Sequence, residues 1–503
     1  MSSAPPLSPV DVRRGFAWAI FLVALALVPV VLWPGDVSFL IDEPRLLAMA
    51  WHANHDGVLA TSGLAGNFGV RYGPLAVQVY QALLLITHDP YLLVILRGLL
   101  CGGATAAGLL WLARTLRLPA WFAAAVLVAP LVVTYQRVLW DASFAIPIGT
   151  LAVAALADFV ATGRRWSLRG CVAATVLVPL IHPQGLPLFL PIAGWLAWRK
   201  RDALWRDRMA LFALGALLVA THGVYFVLAA GDVWWRVWHG AATTYPGAGS
   251  RGLSALAPFL GGNLLAGIAA VPPELPKPVL VAALWASRAI YPLSWLGIAL
   301  ALRRTFGAAR AGQGSTPRET VMAIVLAGLA LQALLFGVLR IPCGPQYFFG
   351  TFPFHVLAAW LAIEALNRWR IGIVSGALYA VGGGVLTLGT ALAIHRHGYG
   401  DLGWPTLRES VEVSRALNFY SDTTVRTDVD FYAKHPEPLR ALRLLLPTTS
   451  DAPRASGRLM IRRLASPGVI TIIDTPPEVE DTPGSLIDIT PLPRGWIPPR
   501  DTW

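Results

Sequence analysis

The chain has 503 residues, with 40 Lys and Arg against 28 Asp and Glu, a formal net charge of +12 and only 14% charged residues. A hydrophobic share of 55% and a mean hydropathy of +0.58 lie far from a soluble chain, where about a quarter of residues are charged. Those values exclude a soluble globular domain and a disordered one. With 20 Trp suited to the two interfaces of a bilayer, they describe a polytopic α-helical membrane protein. The basic excess is that of loops beside lipid phosphates, so nucleic acid is not a partner.

In chain order, Arg13 and Arg14 precede the apolar run Phe16–Trp33, read as a retained first helix because no small-residue cleavage site follows it. A first loop, Pro34–Arg71, leads to a short apolar stretch, Tyr72–Thr87. Runs long enough to span follow at Pro90–Ala113, Pro119–Leu139 and Ala142–Ala161. The run Gly170–Trp198 is broken by His182-Pro183-Gln184-Gly185 and reads as a hairpin of two short helices. Further runs are Met209–Gly231, Pro278–Leu302, Thr320–Leu339, Gln346–Ile363 and Ile371–Ile394. A large loop, Asp232–Lys277, includes a weakly apolar stretch, Leu253–Ala270, suited to the membrane surface. Cys101 and Cys171 lie in apolar runs as small core residues and Cys343 near an interface, so no disulfide framework is implied.

Basic clusters at Arg13/Arg14, Arg114/Arg117, Arg164/Arg165/Arg169, Arg199–Arg208, Arg303/Arg304/Arg310 and Arg368/Arg370 set the orientation. Placing all of them in the cytoplasm requires about 11 crossings, with Tyr72–Thr87 entering and leaving on one face or lying obliquely. The N-terminus is then cytoplasmic, residues 1–394 form the membrane domain, and the tail 395–503 is extracytoplasmic. In that tail Asp, Glu, Thr and Pro return. Leu407–Phe419 has helical spacing, and Leu459–Leu464, Val469–Ile473 and Leu486–Ile489 read as strands of a small α/β domain.

The densest polar group near a membrane exit is Ile41-Asp42-Glu43-Pro44-Arg45, two carboxylates and a cation at a helix start that Pro44 favours. These residues suit a simple cap on a surface helix, and equally a reactive site. Around them stand Arg71-Tyr72-Gly73-Pro74-Leu75, the lone Asp141 in Leu139-Trp140-Asp141-Ala142-Ser143-Phe144, and His182.

This layout resembles the GT-C superfamily of polyprenyl-phosphate-sugar-dependent glycosyltransferases, in the branch (family 39) of protein O-mannosyltransferases and lipid A aminoarabinose transferases. In that branch the first outer loop carries Asp-Glu-x-Arg-Tyr and the next membrane helix opens with Lys-Pro-Pro-Leu. Here the first is Asp42-Glu43-Pro44-Arg45-Leu46, without the Tyr, and the second is Tyr72-Gly73-Pro74-Leu75, without the Lys and one Pro. The resemblance implies a GT-C membrane fold with a sugar held on a lipid phosphate at the outer face. It also implies that Asp42 is the general base for an acceptor, with Glu43 and Asp141 assisting. The departing phosphate needs cations or a divalent metal. Arg45 and Arg71 are the local cations, Arg71 standing where the family's Lys is missing, with Arg137 and Arg340 at other helix ends, and Tyr72 and His182 beside the same cavity. The cofactor is unspecified.

Other polar groups point less far. His52, His55 and Asp56 have a spacing that suits a metal or a solvated helix face. Arg97, inside an apolar run, requires a partner or a polar cavity. His395-Arg396-His397 reads as an interface anchor. No P-loop, Gly-x-Ser-x-Gly or Cys-x-x-Cys occurs. The expected function is an inverting transfer from a polyprenyl-phosphate sugar to a lipid, glycan or protein, at a bacterial inner membrane. The alternatives are a transporter or flippase of a lipid-linked or anionic substrate, and a non-catalytic envelope scaffold.

Overall fold

A computed structural model describes residues 9–64, 71–182, 185–232, 271–311, 316–339, 354–366, 368–399, 402–418, 424–427, 429–446, 458–463, 470–475, 485–489 and 491–492, with 265, 348 and 350 singly. Its helices run in the order α1 (Pro9–Leu32), α2 (Asp42–His55), α3 (Leu75–Leu84), α4 (Pro90–Leu116), α5 (Ala120–Ala124), α6 (Pro130–Arg137) and α7 (Ala145–Thr162). After these come α8 (Arg165–Ile181), α9 (Leu186–Arg199), α10 (Arg201–Arg206), α11 (Arg208–Asp232), α12 (Lys277–Ala286) and α13 (Tyr291–Ala311). The order closes with α14 (Pro317–Leu339), α15 (Phe354–Leu366), α16 (Trp369–His397), α17 (Leu407–Leu417), α18 (Asp430–Lys434) and α19 (Glu437–Leu445). Among the described residues, 7 helices are long and apolar enough to cross a membrane, or 8 if a bent pair is one span. The chain is a multi-pass membrane protein.

Local chemistry sets the boundaries. Asp89 caps α4 by accepting from Tyr91 N at 2.8 Å and Leu92 N at 2.9 Å, with Pro90 at the first helical position. Gly163, at φ 69°, ends α7 in the left-handed region. The run Pro119–Leu139, expected as one crossing, is instead two helices bent by 68°. Pro130 lacks an N–H and drives Ala129 to ψ 136°, which breaks the ladder there. At about 1.5 Å per residue the 10-residue α3 covers only half of a bilayer core. The helical hairpin expected over 170–198 is α8 and α9, joined through His182 in extended conformation (φ −151°, ψ 136°).

Ion pairs mark one end of the bundle. Arg318 pairs with Glu364 and donates to Leu116 O, and Arg304 holds Glu319 at 2.9 Å. The opposite end of α4 lies beside the first loop, where Gly35 packs against Tyr91 and Arg408. That end, the loop face, also receives the tail. Leu407 N donates to Val37 O and Arg408 N to Gly35 O, both at 2.9 Å, and Ser38 bridges Thr406.

The tail carries a four-stranded sheet of order β3-β2-β1-β4, formed by β1 (Thr424–Thr427), β2 (Arg458–Arg463), β3 (Ile470–Thr475) and β4 (Ser485–Asp488). β1 is parallel to β2 and antiparallel to β4, while β2 and β3 are antiparallel. Three strands coincide with the apolar stretches picked out in the sequence; β1 does not. Val425, Ile461 and Ile489 pack with Tyr432 and Leu439 into a small core. Leu407, Val411, Leu442 and Leu445 face the other way and bury against Leu46 and Leu47 of α2 and Leu84 of α3. Each such side chain, fully buried, contributes about 1.5–3 kcal/mol. That apolar seam joins α17 and α19 to the α2–α3 segment and holds the loop face together.

Candidate active site at the first-loop helix

The first loop folds back as α2, whose N-terminus lies against the segment before α7. Asp42 occupies the first position of that helix, yet no side chain caps it. Its Oδ2 accepts instead from Trp140 Nε1 at 3.1 Å, across 98 residues of sequence. The Asp42 side chain retains 31% of its surface but is recessed in protein. Burial raises its carboxyl above the ordinary range, against the lowering influence of Arg45 and of the Trp140 hydrogen bond.

Glu43 points the other way and is 3% exposed. Its Oε2 accepts from Leu40 N at 3.1 Å, closing the turn that enters α2. Burial and the neighbouring Asp42 charge push Glu43 up to about 7. Asp141, 1% exposed, accepts from Ala142 N at 2.7 Å. Burial, then the charge of Asp42, holds its carboxyl well above the usual value. Three carboxylates from two segments therefore share one electrostatic neighbourhood. At neutral pH they cannot all ionise cheaply, an arrangement suited to holding and moving a proton.

Arg97 supports this neighbourhood from below. Fully buried in α4, it donates to Tyr135 O at 3.2 Å and Trp140 O at 3.4 Å, and to Gln136 O and Ser143 Oγ. Its guanidinium also lies 4.9 Å from the centre of the Phe144 ring. It thus fixes the turn between α6 and α7 from which Trp140 and Asp141 project. These acceptors are the partners that a charge inside an apolar run requires.

The cations are placed unequally. Arg71 is exposed, on the strand-like stretch where Gly63 N donates to Tyr72 O at 2.8 Å and Tyr72 N to Leu64 O at 2.7 Å. Arg45 is buried and donates to Glu437 Oε1 of α19 at 2.9 Å, so it faces the tail. Arg137 is buried and donates to Trp33 O at 2.6 Å, closing the exit of α1. Arg340 lies outside the described residues, as does Cys343, and the stretch 253–270 lies outside them except for residue 265. Tyr72 and His182 meet with ring centroids 4.3 Å apart. Gly73 makes that approach feasible, since a Cβ there would stand 1.6 Å from Leu180 O. Burial takes the His182 imidazole down to about 3, which favours the neutral ring.

His52 Nε2 pairs with Leu492 O at 2.6 Å and His55 stacks on Trp51 with centroids 5.1 Å apart, so their spacing serves packing. Among the described residues no group of three or more His, Cys, Asp or Glu side chains is disposed to hold a metal ion. Three site neighbours have no local sequence signal. Glu437 is paired with Arg45, Trp140 with Asp42, and Asp36 with both His395 at 2.7 Å and Arg408 at 3.4 Å. The Trp140-Asp141 dipeptide at a helix entry was the nearest hint.

The membrane helix bundle, its first loop folded into short helices against a mixed helical and β tail, has an ArnT-like fold. No family model and no curated protein matches the sequence. Among solved structures the chain is similar to ArnT from Cupriavidus metallidurans in the apo state, with TM-score 0.52, 15% identity, and 89% of this chain and 93% of that chain covered. It is similar also to ArnT from the same organism bound to undecaprenyl phosphate, with TM-score 0.51 and the same 15% identity and 89% and 93% coverage. At that identity the likeness is one of fold.

Proposed function

We propose that this chain is a membrane-embedded inverting glycosyltransferase that moves a sugar from a polyprenyl-phosphate donor to an acceptor hydroxyl or amine at the loop face. The observation carrying this reading is Asp42, a recessed carboxylate held by an indole N–H instead of capping its helix. It stands on a fold shared with ArnT, one of whose structures is bound to undecaprenyl phosphate.

In this reading Asp42 takes the proton of the acceptor as the acceptor oxygen or nitrogen attacks the anomeric carbon. The bond from that carbon to the phosphate oxygen breaks on the opposite face, and the phosphate leaves with its electron pair. One displacement inverts the configuration. Asp141 orients the acceptor, Glu43 holds the start of α2, and both, adjacent in charge to Asp42, set the strength of the base. Arg71, exposed near the Tyr72–His182 contact, meets the lipid phosphate. The loop face is extracytoplasmic and the tail from residue 395 is an α/β domain on that side. Buried Arg45 and Arg137 hold the scaffold.

The test is single-turnover transfer by detergent-purified protein, using undecaprenyl-phosphate-linked sugars with hydroxyl and amine acceptors. Transfer by the wild type, lost in Asp42→Asn, is expected. No transfer with any donor overturns the reading. Labelling of cysteines introduced into the tail by a membrane-impermeant reagent only after permeabilisation overturns the orientation.

A further inference from the structure

Arg45 lies between two carboxylates from opposite ends of the chain. Its Nη2 is 2.9 Å from Glu437 Oε1, at the first position of α19, and its Nη1 is 3.9 Å from Asp42 Oδ1. The first distance is a charge-assisted hydrogen bond; the second lies beyond hydrogen-bond reach. Arg45 and Glu437 are 6% and 4% exposed, against 31% for Asp42. The cation is therefore sequestered with the tail, while the carboxylate it could neutralise keeps part of its surface. A guanidinium bonded to Asp42 would occupy the oxygens that must receive a proton and weaken them as a base.

We propose that Glu437 is a positioning residue of the active site, which holds the Arg45 guanidinium away from Asp42 and so leaves that carboxylate free to accept a proton. The idea rests on the glycosyltransferase reading only for what Asp42 does with the proton. Among the described residues, the charged and titratable groups facing Asp42 are Glu43 and Arg45 on its own helix, Asp141 from the segment before α7, and Glu437 from α19, with His435 beside the Arg45–Glu437 pair. Of these, Glu437 bonds the cation at 2.9 Å. The surrounding contacts keep α19 in register: Ala48 of α2 packs with Ala441 and Leu492, and His52 Nε2 pairs with Leu492 O.

The experiment uses the full-length protein. Glu437→Gln keeps the shape of the side chain but removes the charge that holds Arg45. The guanidinium should then turn to Asp42, moving the acid limb of the rate profile down by about half a pH unit or more, roughly threefold in ionisation constant. Plateau kcat should fall about tenfold, with the donor KM unchanged. Arg45→Met/Glu437→Met removes both buried charges together, an exchange folds often tolerate, and should move the limb the other way, upward. It also serves as the test if Glu437→Gln does not fold.

A second readout needs no substrate. The pH dependence of the melting difference between each background and the same background carrying Asp42→Asn reports the ionisation of Asp42. Shifts in opposite directions in the two backgrounds support the positioning role. If they occur while the wild type transfers no sugar, the function assigned above falls and the positioning role stands. A tail that merely anchors α2 predicts a lower melting temperature with the ionisation of Asp42 unmoved, and that result overturns the proposal.

Discussion

Trp140 donates its indole N–H to Asp42 Oδ2 at 3.1 Å, which ties the N-terminus of α2 to the turn between α6 and α7. The bond favours the ionised carboxylate and opposes the burial that raises it. Trp140→Phe keeps an aromatic ring and removes the donor. The acid limb of the transfer rate is expected to move to higher pH, with the alkaline plateau retained. A rate profile superimposable on the wild type would remove Trp140 from the site.

Asp42→Asn keeps the acceptor for that indole but cannot take a proton. A general base is worth about 10²–10⁴ in rate, so turnover should fall by that factor while folding and donor binding persist. Single-turnover transfer decides it: more than a tenth of the wild-type rate in the variant contradicts the base assignment. A helix cap, by contrast, would cost up to about 2 kcal/mol of stability and no specific rate.

Glu43 gives a stability signature with a definite sign. Its folded-state value, about 7, lies above the ordinary 4.5, so the folded protein binds the extra proton between those values. Stability contributed by this group is full below about pH 4.5 and is lost as pH rises through 7. Glu43→Gln retains an acceptor for Leu40 N and removes the titration. The variant should match the wild type near pH 4.5 and melt higher at pH 8, by an amount of order 1–3 kcal/mol. Equal melting temperatures at both pH values would show that Glu43 is not shifted.

Arg97→Lys tests the support beneath Trp140. Lysine preserves charge but offers one point of donation where Arg97 reaches Tyr135 O, Trp140 O and other acceptors with a planar fork. The variant should lose about 3–5 kcal/mol or fail to accumulate, and any surviving protein should show the Trp140→Phe profile. Normal yield with a normal profile would mean the turn is held by its other contacts.

Arg71→Ala should raise the apparent donor constant by roughly ten- to a hundredfold, the worth of a charge-assisted phosphate contact, and leave the acceptor constant unchanged. Gly73→Ala is the control for position: its Cβ would collide with Leu180 O and separate Tyr72 from His182. Donor use unaffected by both changes would place the phosphate elsewhere on the loop face.

Much of the membrane part was legible because hydrocarbon demands long apolar runs, and α1, α4, α7 and α16 overlap the runs Phe16–Trp33, Pro90–Ala113, Ala142–Ala161 and Ile371–Ile394. The carboxylates of α2 stood out for the same reason, as polar groups beside such a run. The bend at Pro130 was missed because hydropathy does not register a single dihedral, although the proline was in plain view. β1 was missed because Thr-Val-Arg-Thr is too short to show alternation. Partners at a distance were missed altogether: nothing near Arg45 in the chain points to Glu437, 392 residues on, and the acceptors of Arg97 are mostly backbone carbonyls that any sequence supplies.

The same separation orders the making of the protein. Asp36, Val37 and Arg45 are synthesised well before His395, Leu407 and Glu437, to which they bind. A nascent chain stalled after its last membrane helix would carry the carboxylates and the arginine of α2 without the counter-ion that separates them. On the positioning role proposed for Glu437, the bond that holds Arg45 can close only once α19 has been made.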